Sequence, residues 1–214
     1  AEQPAVVAEY FDKLLDVLGD KGVDPEDIWN IDETGFRIRI GKDQLIVTKR
    51  KRAYYFGITE NRELATAIEA ISAGRRVIPA FIILAGQVHI SQWYEQPELD
   101  PEMAIITSAS GYSNDEISLE WLRHFEEHSR RGMVRKYRLL IFDGHGSHFT
   151  WEFVKYCEDH DIIPFGLPPH LTHLIQPLDV IVFQPLKHYH AKELDILIRD
   201  GLINITKIEF LIVI

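Results

Sequence analysis

Val6, Val7, Tyr10, Phe11, Leu14, Leu15 and Leu18 recur at the three-and-four spacing of an amphipathic helix that ends near Gly19. Asp24 ahead of Pro25 is a cap followed by proline at a first helical position, which predicts a single turn. Alternation then replaces the helical period. Ile28–Asp32 is a short apolar run into a carboxylate, and Phe36, Ile38 and Ile40 alternate with Arg37 and Arg39, as in a half-buried strand. Residues 43–60 are polar and basic, with β-like pieces at 45–48 and 53–56.

Leu64–Ser72 and Val77–Leu84 are β-rich and joined by Ala73-Gly74-Arg75-Arg76, which predicts an antiparallel hairpin whose second strand is apolar on both faces. Ala104–Thr107 is a further strand. Ser113 and Glu116 have the spacing of a capping box ahead of Ile117, Trp121, Leu122 and Phe125, which predicts a helix over 114–129. Tyr137–Phe142 is a buried strand ending in Asp143. A helix over 150–159, a strand over 162–165 and a helical region over 178–199 follow, the last with Pro185 in its first turn. Antiparallel strands followed by strand–helix–strand alternation describe one α/β domain with a mixed central β-sheet flanked by α-helices. No repeat or low-complexity linker interrupts it.

The 214 residues suffice for one domain with a sizeable core. Hydrophobic residues are 46% and charged residues 26%, which excludes wholesale disorder. No apolar run approaches the roughly 20 residues of a membrane helix, so no membrane partner is expected. Cys157 has no second cysteine to pair with, which fits a reducing compartment. The net charge of −10 argues against holding nucleic acid by bulk electrostatics. That charge is uneven: residues 1–36 carry ten acids against Lys13 and Lys21, and residues 37–62 carry eight bases against Asp43 and Glu60, including the run Lys49-Arg50-Lys51-Arg52. Such a run is either a solvated loop or a phosphate or nuclear-import element.

Three carboxylates stand where sites are built. Asp32 and Asp143 end strands, at the rim where loops of α/β folds bind ligands, and Asp179 opens a helix. Each also has an ordinary reading as a turn residue or cap. Around two of them lie His145, His148, His170 and His173. Histidine-rich sites suit zinc and carboxylate sites suit Mg²⁺ or Mn²⁺. No His-Glu-x-x-His motif or cysteine pair is present, and three aspartates from separate elements favour the hard ion.

The ordered motifs are specific. They are Asn30-Ile31-Asp32-Glu33-Thr34-Gly35-Phe36, Ala67-Ile68-Glu69-Ala70-Ile71-Ser72-Ala73 with Val77–Ile83, and Gly111-Tyr112-Ser113-Asn114 with Leu119–Leu122. Then come Leu140-Ile141-Phe142-Asp143-Gly144-His145-Gly146-Ser147-His148, Leu167-Pro168-Pro169-His170, and His173-Leu174-Ile175-Gln176-Pro177-Leu178-Asp179 with Phe183 and Pro185-Leu186-Lys187. Over about residues 5–207 the chain resembles the DDE superfamily endonuclease (DDE transposase) domain of pogo/Tigger-like elements in the mariner superfamily, most like fungal members. Asp143 and Asp179 enclose 35 residues, a spacing of the kind found in that superfamily.

The resemblance implies an RNase H-like fold in which Asp32, Asp143 and Asp179 are catalytic and hold two Mg²⁺ or Mn²⁺ ions. The implied activity is metal-dependent DNA cleavage and strand transfer, with transposon ends and target DNA as partners, a homodimer as assembly and the nucleus as location. It divides the chain into an N-terminal helix and linker (1–24), a catalytic domain (25–207) and a truncated or divergent tail (208–214). Relatives usually read Leu-Asp-Val-Gly-Val-Phe-Gly-Pro where this chain has Leu178-Asp179-Val180-Ile181-Val182-Phe183-Gln184-Pro185, and Ile181 is expected to shift the helix or narrow the site. Leu171 and Thr172 replace paired small hydroxyl residues, and the family's helix-turn-helix reader is not in the chain. The rival readings are a domesticated, catalytically silent domain used for DNA binding or protein association, similar to centromere-binding protein B, and a zinc hydrolase built on the four histidines.

Overall fold

The structure, a computed structural model, describes residues 4–38, 63–143, 150–169, 171–200 and 205–214. The pieces expected at 45–48 and 53–56, the basic run 49–52, and His145, His148 and His170 lie outside the described residues, as does the side chain of His173. A six-stranded sheet runs β4-β3-β2-β1-β5-β6, built from β1 (Ile28–Ile38), β2 (Glu63–Ser72), β3 (Phe81–Ala85), β4 (Ala104–Ser108), β5 (Arg138–Phe142) and β6 (Ile162–Gly166). β2 is antiparallel to β1 and to β3, while the β1–β5, β5–β6 and β3–β4 pairs are parallel. The sheet is therefore mixed, as the order of sequence patterns predicts.

β1 is one long strand rather than two pieces. Ten consecutive pairs with β2, from Trp29↔Ser72 to Ile38↔Glu63, carry the ladder through Asp32–Gly35, where apolar alternation lapses. The start of β1 is pinned by Asp27, fully buried, whose carboxylate accepts from Arg76 at 2.7 Å and from the Val134 and Arg135 N–H groups at 3.0 and 2.9 Å. Arg76 also lies over the Trp29 ring. β3 begins at Phe81, later than the pattern suggests: Val77 makes only an isolated bridge with Ile71, and the turn closes through Ser72 N–H to Arg76 O.

Alternation along the strands divides the core in two. One face carries Trp29, Ile68, Phe81 and Leu140 against α2 (Asp115–Arg130) and α3 (Trp151–Asp159), with Trp121, Phe125 and Cys157 buried among them. The other carries Phe36, Ile38, Ala67 and Ile82 against Trp93, α5 (Phe183–Arg199) and α6 (Lys207–Val213). α1 (Pro4–Lys21) meets the β6 edge through Tyr10, whose ring lies 5.2 Å from that of Phe165. A one-turn helix, α4 (Thr172–Ile175), precedes a π-helical turn over Leu178–Val182 that leads into α5.

One local expectation changes. The cap of α2 is Asn114, whose side chain accepts from the Ile117 N–H at 2.9 Å; Ser113 instead donates to Glu33 at 2.8 Å. Residues 208–214 lie mostly in α6, whose Thr206–Glu209 capping box starts it and whose Phe210 and Leu211 are buried. Gly111 lies in the left-handed region at φ +78°, and a Cβ there would meet the Leu64 carbonyl oxygen at 2.9 Å, so this turn after β4 requires glycine.

Candidate active site

The last parallel pair between β1 and β5 is Asn30↔Ile141. Asp32 and Asp143 each lie two residues beyond it, at the level where β5 stops and β1 continues along β2. Alternation puts Asp32 on the α5 face of the sheet, with Asn30 and Thr34. Asp179 approaches that face from the π-helical turn ahead of α5.

A buried amide pair fixes this approach. The Asn30 side-chain amide donates to Gln176 Oε1 at 2.9 Å and to the Ile141 carbonyl at 3.2 Å, and its Oδ1 accepts from the Leu178 N–H at 3.2 Å. Gln176, fully buried, returns a hydrogen bond to the Ile31 carbonyl at 2.8 Å. β1, β5 and the segment carrying Asp179 are thus tied through two side chains. Neither amide stood out in the sequence, where one is a polar residue in a short strand and the other precedes Pro177.

Burial raises the Asp32 carboxyl to a pKa of about 7, and the charges of Asp179 and then Asp143 push in the same direction. A hydrogen bond from the Glu33 N–H and one from Gln176 work against that rise. The three sequence-predicted aspartates are therefore brought to one rim, close enough for the other two charges to act on Asp32. Among the described residues, no three His, Cys, Asp or Glu side chains stand together as a preformed metal cage. The donor set nevertheless fits a hard divalent cation: it consists of carboxylate oxygens, from separate elements, gathered where burial and the two neighbouring carboxylates disfavour the charge of Asp32. Ile181 does not narrow the rim from within, because its side chain is 67% exposed.

A fourth acid escaped the sequence reading. Glu69 is paired directly with Asp32 across β1 and β2, and burial raises its carboxyl to about 7. The available signal was its position as the one charge in the otherwise uncharged run Leu64–Ser72. On the α2–α3 face, a cavity of about 230 Å³ lined by Ile31, Ile68, Trp121 and Phe153 opens beside Asp32 and Asp143. Asp32 and Asp143 are among its lining residues, so the carboxylate rim and this apolar hollow adjoin.

Comparison with known proteins places these features. The family model described as DDE superfamily endonuclease matches residues 61–202. A protein of Cochliobolus lunatus named "MFS-type transporter clz9" is 40% identical over 188 residues, which are 87% of this chain and 20% of that protein. The human "Pogo transposable element with ZNF domain" is 29% identical over 126 residues, 58% of this chain and 8% of its own length. The chain thus spans a fifth or less of either relative, and among the described residues no helix is long and apolar enough to cross a membrane. In structure, the Mos1 strand transfer complex superposes with a TM-score of 0.52 at 11% identity, covering 88% of this chain and 49% of the Mos1 chain. That likeness identifies the mixed sheet with flanking helices as the RNase H-like integrase fold. With the family model covering most of its length, the chain belongs to the DDE superfamily endonucleases.

Proposed function

We propose that this chain is the catalytic segment of a pogo-like transposase, which cuts DNA phosphodiesters and transfers strands with Mg²⁺ or Mn²⁺ held by Asp32, Asp143 and Asp179. The observation that carries the reading is the convergence of Asp179 and Asp143 on the half-buried Asp32, beside the end of β5. Membership of the endonuclease family supports the reaction class, and the pogo relative and the strand-transfer complex support DNA, both transposon end and target, as the substrate.

When bound, two divalent ions in such a site activate the attacking oxygen and stabilise the leaving one at the phosphorus. The protein's part is positioning. Asp32 is fixed by its own strand, Asp143 by the end of β5, and Asp179 by the Asn30–Gln176 pair. Three carboxylates at one rim repel a phosphodiester, so DNA is bound productively only after cations have reversed the local charge. In this reading the net charge of −10 is no obstacle to a DNA substrate, and the protein acts in the nucleus.

Titration of the chain with Mn²⁺ by calorimetry, alongside nicking of supercoiled plasmid, tests the proposal. Asp32→Asn, Asp143→Asn and Asp179→Asn are each expected to weaken Mn²⁺ binding and to abolish metal-dependent nicking. Nicking that survives Asp143→Asn and Asp179→Asn refutes the mechanism.

A further inference from the structure

The hollow beside the carboxylate rim has no part in the proposed chemistry. Ile31, Ile68, Leu140, Phe142, Phe153 and Trp121 wall it, side chains from β1, β2, β5, α3 and α2. Protein interiors leave few voids larger than a water molecule, yet about 230 Å³ stays open here between five elements. Within this apolar wall stands a polar group without a partner. Trp121 is 1% exposed, and its indole Nε1–H has no hydrogen-bond acceptor among the described residues. Phe125 stacks on the indole with ring centroids 5.2 Å apart, which holds the plane of the ring. A buried donor left unmet costs stability, and a ligand that brings an acceptor recovers it.

These features select the ligand. The volume is below the roughly 300–1,000 Å³ of pockets for drug-sized ligands, so a ring system fits and a whole nucleotide cofactor does not. Apolar and aromatic walls favour a flat ring. Asp32, Glu33 and Asp143 also line the hollow and are half-buried, so its opening lies among acids that turn anions away. A cation would meet a donor, not an acceptor, at Trp121. We propose that the hollow is a binding site for an uncharged, planar heteroaromatic ring that accepts a hydrogen bond from the Trp121 Nε1–H. Two sources offer that chemistry: a base of the DNA substrate turned out of its stack beside the rim, or a free heteroaromatic molecule. Only the first source rests on the proposed function; the site itself needs neither metal nor DNA cleavage.

The test is an NMR titration of the metal-free 214-residue chain with purine, followed through the Trp121 indole N–H and the Ile31 and Ile68 methyl signals. All three are expected to move together and to saturate. A Trp121 signal that stays still up to the solubility limit of purine overturns the proposal without any variant. Trp121→Phe keeps an aromatic ring and removes the donor. It is expected to weaken purine binding about fivefold, the worth of one net hydrogen bond, while benzene, a flat ring without an acceptor, binds within about twofold of its wild-type affinity. Equal weakening of both probes overturns the assignment to a heteroaromatic ring. Ile31→Phe fills the hollow, leaves the donor in place and should abolish binding of both probes; unchanged purine binding overturns the location. A short single-stranded oligonucleotide with Mg²⁺, set beside the same strand made abasic, separates the sources. A Trp121 signal that moves with the intact strand and not the abasic one assigns the DNA base, and one that moves with purine alone assigns a free molecule. If DNA nicking fails while purine binds, the proposed function falls and the site stands.

Discussion

Replacing Gln176 tests whether the buried amide pair is what ties the carboxylate rim together. Gln176→Leu keeps the side chain's bulk and removes the hydrogen bond from Asn30 at 2.9 Å and the one to the Ile31 carbonyl at 2.8 Å, along with the contact that steadies the Asp32 carboxylate. The Asn30 amide keeps its bond to Ile141, so that loss costs about 1 kcal/mol. The Ile31 carbonyl loses the donor that Gln176 supplied in a buried setting, which costs a further 1–3 kcal/mol, roughly. The expected destabilisation is about 3 kcal/mol, a fall of roughly 6–12 °C in melting temperature for a chain of this size. Differential scanning fluorimetry measures it, with Gln184→Leu, an exposed glutamine, as a control expected to move stability by about 0.5 kcal/mol or less. Gln176→Glu separates shape from hydrogen bonding. It preserves volume and an acceptor for Asn30 but sets a carboxylate oxygen against the Ile31 carbonyl and adds a charge beside Asp32. It is expected to be at least as damaging as leucine at neutral pH. Because the same pair holds the segment bearing Asp179, both variants should also weaken Mn²⁺ binding. A melting temperature within 2 °C of wild type for Gln176→Leu, with Mn²⁺ affinity unchanged, refutes the reasoning.

Two further outcomes follow from the α5–α6 face of the core. His190 lies between the rings of Phe36 and Phe210, and burial lowers its pKa to about 4, so the folded state favours the neutral ring. The unfolded chain takes up that proton near pH 6.5, so stability is full above 6.5 and falls as pH drops toward 4. Allowing for partial screening, the loss is about 2 kcal/mol; His190→Leu should flatten this part of the pH dependence in urea midpoints between pH 7.5 and 4.5, and an unaltered slope refutes the assignment. Phe210→Ala should cost about 3–5 kcal/mol in urea unfolding, because the ring is fully buried against Phe36 and His190; a loss below 1 kcal/mol would show that α6 is not part of the core.

Strand and helix patterns were legible wherever apolar period and partner coincided: β5 with its two buried leucines, α2 with Trp121 and Phe125, and β3 with both faces covered. Where pairing rather than side chains carried an element, the pattern failed. Asp32–Gly35 lacks apolar alternation, yet backbone pairing with β2 continues the strand through it. The cap of α2 shows a related ambiguity, since Ser113 and Asn114 are both good capping residues and only the tertiary bond from Ser113 to Glu33 decides between them. The capping box at Thr206–Glu209 was readable, but an apolar segment without a visible partner gives no reason to fold against Phe36.

The aspartates were legible because apolar runs lead into Asp32 and Asp143 and a helical region starts at Asp179, although Asp32 proves to lie inside β1 rather than at its end. Asn30, Gln176 and Glu69 were not, because their meaning lies in register. Asn30 matters only once β5 is beside β1, and Glu69 only once β2 is antiparallel to β1 in one alignment. A shift of a single residue in that pairing would turn Glu69 toward the α2–α3 core and leave Asp32 facing an alanine or an isoleucine. β2 buries residues on both faces, with Ala65 and Ala67 on one and Ile68 on the other, so side-chain alternation alone does not fix the alignment; the ten consecutive pairs with β1 do. Pairing along the whole length of the two strands is what holds Glu69 opposite Asp32.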